Sequence, residues 1–331
     1  MTMPPRASVI VDTFNHESYI KACLKSLLEQ ERVTPEVIVV DVGSTDKTVD
    51  LVKTGFPKVR LVKTENRGFG AGNNVGVQHA RTSIVAFANP DTVASSMWLA
   101  TLCSAVKPGK TVATTPALLM KRPTHVNTIG LALHMTGHGL MRFYDQPLAR
   151  IRRTDFAPGV SGVGFAMDRE DYLRLGGFEE AIFLYNDDTE FSWRLRKAGF
   201  RVRVEWNAHL LHDYRGSRGH GKLIHAERNR NVLLRKHLSR GQWIAYFPSL
   251  LVAWLLALVR LGPSLFFKAL REARRVPVGK AWKGTLGVSR IAQRVLPSRP
   301  FIKGALGTVA FALPNLVFLV NAFWWIRRRE R

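Results

Sequence analysis

The sequence predicts an α/β protein: residues 1–240 form a doubly wound, mainly parallel sheet, and residues 241–331 form a basic, apolar helical module associated with a membrane. Three observations carry this expectation. Apolar runs of strand length alternate with helical patterns through the first half. Polar residues gather directly after those runs. The charge is also unevenly divided, with 26 Lys/Arg against 21 Asp/Glu in residues 1–212 and 23 against 4 in residues 213–331. At 331 residues and 46% apolar content the chain can bury a large core.

"ASVIVDTF" (7–14) is a buried-strand run, and Tyr19, Ile20, Cys23, Leu24, Leu27 and Leu28 follow at helical spacing. "EVIVVD" (36–41) is the next strand and "VRLVKT" (59–64) another. A Gly/Asn-rich turn then leads to a short helix near Val75 to Ala80, and "SIVAFAN" (83–89) is the strand after it. From Thr114 to Gly159 the pattern fades into a stretch that includes the basic "LARIRRTDF" (148–156). "GVSGVGFAMDRE" (159–170) supplies a small-residue strand, and "TEFSWRLRKAG" (189–199) is a helix closed by Lys197 and Gly199. "AHLLHD" (208–213) is strand-like. Cys23 and Cys103 have neither metal nor redox spacing and are expected in the core, in a reducing compartment. "MTMPPRASVIVDTF" has no run long enough for a signal peptide, so the sheet domain is expected in the cytoplasm.

In doubly wound sheets ligands bind at the carboxyl ends of the strands. Here those ends carry Asp12, Thr13 and Asn15, then Asp41, Ser44 and Asp46, then Asn89 and Asp91. Turn formation explains any one group alone. Three groups on one sheet edge point to a binding crevice. A further cluster, Asp187, Asp188 and Glu190 in "LYNDDTEFSWR" (184–194), opens a helix, where acids are favoured by the dipole but can also serve as proton acceptors.

Several lookalikes fail on inspection. "NRGFGAGNN" (66–74) has Asn73 where a dinucleotide fingerprint needs its third glycine, and it does not follow the first strand, which argues against a dehydrogenase. "GSRGHGKL" (216–223) has Leu223 where a phosphate loop needs Ser or Thr. His134 and His138 are four apart, but Gly137 and Gly139 argue against a helix and no third ligand is evident.

The basic second part requires an anionic partner, either nucleic acid or a membrane surface. Aromatic and basic residues do not interleave as in single-strand binders, so no nucleic-acid partner is expected, and a basic nucleic-acid-binding protein is the weaker alternative. The runs "WIAYFPSLLVAWLLALV" (243–259) and "ALGTVAFALPNLVFLVNAFWWI" (305–326) carry no charge, which favours an anionic membrane surface. The second would reach about 33 Å as a helix, enough to cross a hydrocarbon core of about 30 Å. The connector from Arg260 to Lys303, however, holds 11 Lys/Arg against one Glu, which prefers the cytoplasmic side. Re-entrant or interfacial segments are therefore expected, with bends at Pro248 and Pro314–Asn315 and with Trp243, Trp324 and Trp325 near the headgroups. Two core helices of a soluble domain are the alternative.

"SVIVDTFNHESYIKACLKSLLEQ", "EVIVVDVGSTDKTVD", "ENRGFGAGNNVGVQHA", "FANPDT" and "LGGFEEAIFLYNDDTEFSWRLRKAGF" resemble, in order and spacing, the motifs of family 2 inverting glycosyltransferases with the GT-A fold, in a rhamnosyltransferase-like branch. The resemblance covers about residues 7 to 240. It implies a donor site for a nucleotide-diphosphate sugar made by Thr13, Asn15, Asp41, Ser44, Asn66, Gly68, Asn73, Asn74 and Asn89, with Asp41 facing the base. It implies a divalent cation, Mg²⁺ or Mn²⁺, on Asp91, the second acid of the family's Asp-x-Asp motif, with His212 as second ligand. Asn89 stands at the first position of that motif, and one carboxylate can suffice where diphosphate oxygens complete the shell. Asp188 corresponds to the catalytic base, with Asp187 beside it. Arg150, Arg152 and Arg153 fall in the region that shapes the acceptor pocket. The implied activity is hexosyl or deoxyhexosyl transfer to a lipid-linked glycan acceptor at the cytoplasmic face of the cell membrane, in surface polysaccharide or glycolipid synthesis. An inactive glycosyltransferase-like binding protein is the alternative that Asn89 leaves open.

Overall fold

The computed structural model describes residues 6–214 and 220–277. In chain order the first elements are β1 (Arg6–Thr13), α1 (Ile20–Leu28), β2 (Thr34–Asp41), α2 (Thr48–Gly55), β3 (Arg60–Lys63), α3 (Phe69–His79) and β4 (Ile84–Ala88). There follow β5 (Thr92–Ala94), α4 (Trp98–Ala105), β6 (Thr111–Thr114), β7 (Ala117–Leu119), β8 (Arg122–Thr128), β9 (Leu131–Leu133), β10 (Gly139–Met141) and β11 (Phe156–Ala157). The last are β12 (Gly164–Asp168), α5 (Arg169–Arg174), α6 (Asp187–Lys197), β13 (Arg201–Val204), β14 (Leu210–His212), α7 (His220–His237) and α8 (Arg240–Arg275).

An eight-stranded sheet has the order β11-β13-β6-β12-β4-β1-β2-β3. β3, β2, β1 and β4 are mutually parallel, and β12 runs antiparallel to both β4 and β6. Because side chains alternate along a strand, Val9, Val11, Val37 and Val39 face one way and Ile10, Ile38 and Val40 the other. The first set packs on Ile20, Leu24 and Leu27 of α1 and on Trp98 and Leu102 of α4. The second packs with Val77 of α3, Tyr172 of α5 and Phe191 of α6, around Phe87 and Phe165 stacked at 4.5 Å. Both faces of the parallel strands are thus covered, as their continuous apolar runs require. Cys23 and Cys103 are both free and buried, as expected.

The helix expected near Val75 instead begins at Phe69 and includes the glycine-rich stretch. The reason is packing. A Cβ on Gly72 would lie 1.8 Å from Asp12 Oδ1, so glycine lets α3 press directly on the end of β1. Low helix propensity loses to that close approach.

By contacts the described residues divide into two units, 6–133 with 139–214, and 134–138 with 220–277. In the second unit α7 groups with α8. In that unit Arg230 is buried, pairs with Glu227 at 2.5 Å and donates to Thr136 O at 2.8 Å. The hydroxyl of Thr136 lies 2.7 Å from His134 Nδ1 and 2.9 Å from His138 Nδ1. α8 opens with a capping box between Ser239 and Gln242. Its helical backbone breaks at Gly262 (φ 75°), directly before Pro263, whereas Pro248, the expected bend, stays within the helix. The second arm returns to α7, where Arg235 donates to the carbonyls of Ala273 and Val276. The segment 305–326, Pro314–Asn315, most of the connector and the first half of "GSRGHGKL" lie outside the described residues.

Candidate active site

β1 and β2 end in register, with Thr13 opposite Asp41. Asp41 is 2% exposed, and its Oδ2 accepts the amides of Gly43 and Ser44, both at 3.2 Å. Its Oδ1 is enclosed without a hydrogen-bond partner. Asn15, in left-handed backbone at φ 57°, ties the two loops together. Its amide donates to Ser44 Oγ at 2.9 Å, and its Oδ1 accepts Thr45 N at 2.8 Å. Thr13 Oγ1 lies 3.2 Å from His16 Nδ1. Thr13, Asn15, Asp41 and Ser44 therefore form one wall.

Beyond β4, Asn89 N donates to Val163 O at 3.2 Å, and its carbonyl accepts the amide and hydroxyl of Thr92. β14 pairs antiparallel with β5 so that His212 is opposite Thr92, which delivers the imidazole to Asp91. His212 Nε2 lies 3.3 Å from Asp91 Oδ1, and its Nδ1 lies 2.9 Å from Asn127 Oδ1 on β8. The amide oxygen only accepts, so Nδ1 carries a proton and Nε2 is the nitrogen offered to Asp91's side. Asp213 N donates to Asp91 O at 3.0 Å, and Tyr19 donates its hydroxyl to Asp213 Oδ2 at 2.7 Å.

β12 is antiparallel to β4 with Gly164 opposite Ala88, so the chain just before β12 lies at the strand end where Asn89 emerges. There Gly162 N donates to Asp188 Oδ2 at 3.1 Å. Burial raises the Asp188 pKa above the usual carboxylate range, against hydrogen bonds from Gly162 and Thr189 that lower it. Asp187, next along α6, is held well above that range by burial first and then by the charge of Asp188, and its Oδ1 has no partner. Glu190 is turned away from the crevice. It is fully buried and grips Arg194 through Nε at 3.0 and 2.9 Å and Nη2 at 2.6 Å. The three acids read together in the sequence thus divide into one facing the crevice edge, one buried and one structural.

At α3, Gly68 has φ 96°, and a Cβ there would fall 2.0 Å from Phe183 O. Asn66 Oδ1 accepts Gly68 N at 3.2 Å. Asn73 donates to Phe69 O one turn back, while Asn74 donates to Phe178 O at 3.0 Å and accepts from Tyr172 Oη at 2.6 Å. The Asn73 bond lies within the first turns of α3, whereas Asn74 ties that helix to Tyr172 and Phe178. Arg150 and Arg152 are exposed, and Arg153 lies 5.7 Å over the Trp206 ring. Among the described residues no hydrogen bond or ion pair links these arginines to Asp188.

Sequence reasoning missed Asn127, Gly162 and Tyr19, whose roles depend on strand pairing across long separations. It noted Asp12 only as a strand-end acid. Asp12 Oδ1 is enclosed and unpartnered, and burial, followed by the charge of Asp41, holds its carboxyl well above the usual range. The signal was an acid closing an otherwise apolar strand. A cavity of about 930 Å³ bordered by Thr82, Pro108 and Asp168 lies at the opposite end of the strands, away from this chemistry.

Residues 8–174 match the family model described as "Glycosyl transferase family 2". The putative glycosyltransferase EpsH of Bacillus subtilis (strain 168) is 35% identical over 91 residues, 26% of each chain. The O-antigen biosynthesis protein RfbC of Myxococcus xanthus is 28% identical over 226 residues, 65% of this chain and 18% of the relative. The chain spans about a quarter or less of the length of these curated relatives. GalNAc-T7, solved with UDP, GalNAc and Mn²⁺, superposes with a TM-score of 0.59 at 15% identity over 83% of this chain and 55% of the other. The mannosyltransferase PcManGT from Pyrobaculum calidifontis, solved with GDP-Man and Mn²⁺, gives 0.51 at 20% identity over 99% and 84%. At these identities the likeness is one of fold, and it bears out the expected sheet of GT-A type.

Proposed function

The chain belongs to glycosyl transferase family 2, and from that membership we propose that it is an inverting, divalent-cation-dependent transferase, moving a sugar from a nucleoside-diphosphate donor to a hydroxyl of a lipid-linked glycan in cell-surface polysaccharide or glycolipid synthesis. One observation carries the reading. A single edge of the sheet gathers Asp41 with an unfilled acceptor oxygen, the Asp91–His212 pair, and Asp188 held by Gly162.

In this reading Asp41 accepts from the base, and the wall of Thr13, Asn15 and Ser44 lines the nucleoside. Asn66, Gly68 and Asn89 border the sugar diphosphate. Asp91 and His212 would hold Mg²⁺ or Mn²⁺, and their donors fit: a carboxylate oxygen and an imidazole nitrogen whose tautomer Asn127 sets. Bound there, the cation supplies positive charge to the departing diphosphate. Asp188 takes the proton from the acceptor hydroxyl as its oxygen attacks the anomeric carbon. The bond from that carbon to the diphosphate oxygen breaks and its electron pair leaves with the nucleotide, which inverts the anomeric centre. A pKa raised by burial suits Asp188 to this role, because a base works best near the operating pH. Asp187 positions the start of α6. The basic, apolar helical unit supports placement at the cytoplasmic face of the membrane, where a lipid-linked acceptor resides.

The test is release of nucleoside diphosphate by the purified full chain from a panel of nucleotide sugars, with Mn²⁺ and with chelator, followed by NMR of the product's anomeric configuration. Metal-dependent turnover with inversion is expected. Failure to turn over any donor would leave the binding-protein alternative, and retention of configuration would remove Asp188 as base.

A further inference from the structure

The first arm of α8 reverses the usual arrangement of a surface helix. Ile244, Phe247, Leu251, Leu255 and Val259 recur every three or four residues on one side, and that side is open to solvent. Ile244 and Val259 are 78% and 75% exposed. The opposite side, with Tyr246, Leu250 and Ala253, is buried. An outward apolar stripe this long marks a surface that another apolar phase covers.

Next to the stripe the helical unit forms a groove of about 480 Å³. It runs between the two arms of α8 and α7, with Trp254 and Leu258 on one arm and Phe266 on the other, and Leu251 and Leu255 of the stripe form its rim. Trp243 and Trp254 stack at 6.2 Å along it. Arg235 and Arg274 line it as well, and among the described residues no Asp or Glu does. Nη1 of Arg235 is tied to the carbonyls of Ala273 and Val276, but a guanidinium has five N–H donors, so it still has donors for an anion. An apolar channel with two guanidinium groups and no acid matches an amphiphile with a hydrocarbon tail and a negative head.

We propose that this groove binds an acyl chain of an anionic phospholipid, with the lipid phosphate on Arg235 and Arg274 and the stripe from Ile244 to Val259 seated in the interface. Interfacial binding grows with the apolar area buried in the membrane and with attraction to anionic lipids. The stripe and the groove arginines supply both on one unit. The inference rests on the membrane placement proposed above and is independent of the transferase chemistry.

The full chain is mixed with vesicles of phosphatidylcholine alone, or of phosphatidylcholine with phosphatidylglycerol, each doped with a phospholipid carrying a photoreactive group on its acyl chain. Flotation reads binding, and mass spectrometry after irradiation reads the site. The expected result is flotation several-fold greater with phosphatidylglycerol, with labels on Trp254, Leu258 and Phe266. Arg274→Glu should remove most of the phosphatidylglycerol gain, and Leu258→Trp, which fills the groove, should move the label onto the outward stripe without abolishing flotation. Labels confined to Ile244, Phe247 and Val259 in the wild type would overturn the groove while sparing the membrane placement. Absence of flotation on both vesicles would overturn both. A Leu258→Cys chain that crosslinks to its own 305–326 segment, or to a second chain, in the vesicle-bound state would give the groove to that occupant and overturn the proposal. The wild-type labelling pattern does not depend on any variant folding.

Discussion

His212 Nε2 faces Asp91 Oδ1 at 3.3 Å, and Asn127 fixes the other imidazole nitrogen from a third strand. Among the described residues no group of three His, Cys, Asp or Glu side chains is placed to hold a metal alone. Two protein donors imply that a cation binds well only with the nucleotide's phosphates. Calorimetry should therefore find weak binding of Mn²⁺ by itself and at least about tenfold tighter binding with nucleoside diphosphate present. Mn²⁺ should support more turnover than Mg²⁺, which prefers an all-oxygen shell. Asn127→Ala should cost about 10- to 100-fold in metal-dependent nucleotide affinity, as outer partners of ligating histidines typically do. Unchanged Mn²⁺ dependence in both His212→Ala and Asn127→Ala would put the cation elsewhere.

Asp188→Asn should lower transfer by about 10²- to 10⁴-fold and leave donor affinity close to wild type, since the amide keeps the shape but cannot accept the proton. The acidic limb of the rate profile reports the same group. Burial raises the Asp188 pKa, so activity should begin to fall, as pH decreases, above the ordinary carboxylate range near 4. More than a tenth of the wild-type rate in Asp188→Asn would remove it as base.

Glu190 serves the fold. With Arg194 it forms an ion pair whose side chains are 0% and 5% exposed, and Arg194 Nη1 also donates to Leu175 O at 2.5 Å. Glu190→Gln leaves a buried guanidinium without its counter-charge and should cost about 3–5 kcal/mol. Urea unfolding checks this. A loss under about 1 kcal/mol would show that water reaches the pair.

How much of this was legible in the sequence depended on sequence distance. β1, α1, β2 and β4 are local signals, because apolar period and strand length alone specify them. Asp41 and Asp188 stand out because the first closes β2 and the second lies in the first turn of α6, and Asp91 because it lies in the short turn between β4 and β5. The division of Asp187, Asp188 and Glu190 was not legible, since which acid meets Gly162 and which meets Arg194 depends on how α6 docks on β12. Asn127 was hidden for a similar reason: β8 reaches His212 only through β7 and β14, at a separation of 85 residues. The glycines of α3 misled in the opposite sense. Propensity reads them as a turn, whereas the short distance from Gly72 to Asp12 makes them the condition for a helix.

That contact yields the last prediction. Asp12 Oδ1 sits under Gly72 without a hydrogen bond, and burial, then the charge of Asp41, raises its pKa well above the usual value. A group whose folded pKa is raised holds its proton more tightly in the folded state, so its contribution to stability is fully present below the unfolded value near 3.9 and is lost as pH rises through the folded value. Asp12→Asn keeps the volume and removes the titration. The variant should therefore match wild type in unfolding midpoint near pH 4 and exceed it increasingly toward pH 8. Taking the difference between two chains cancels the opposite slope from the buried His138, whose pKa is lowered chiefly by burial. A difference that stays constant with pH would show that Asp12 ionises in the fold as freely as in water. Gly72→Ala offers an independent check on the same contact: it should destabilise wild type markedly and an Asp12→Ala chain much less, because the clash is with Asp12 Oδ1 and Cγ.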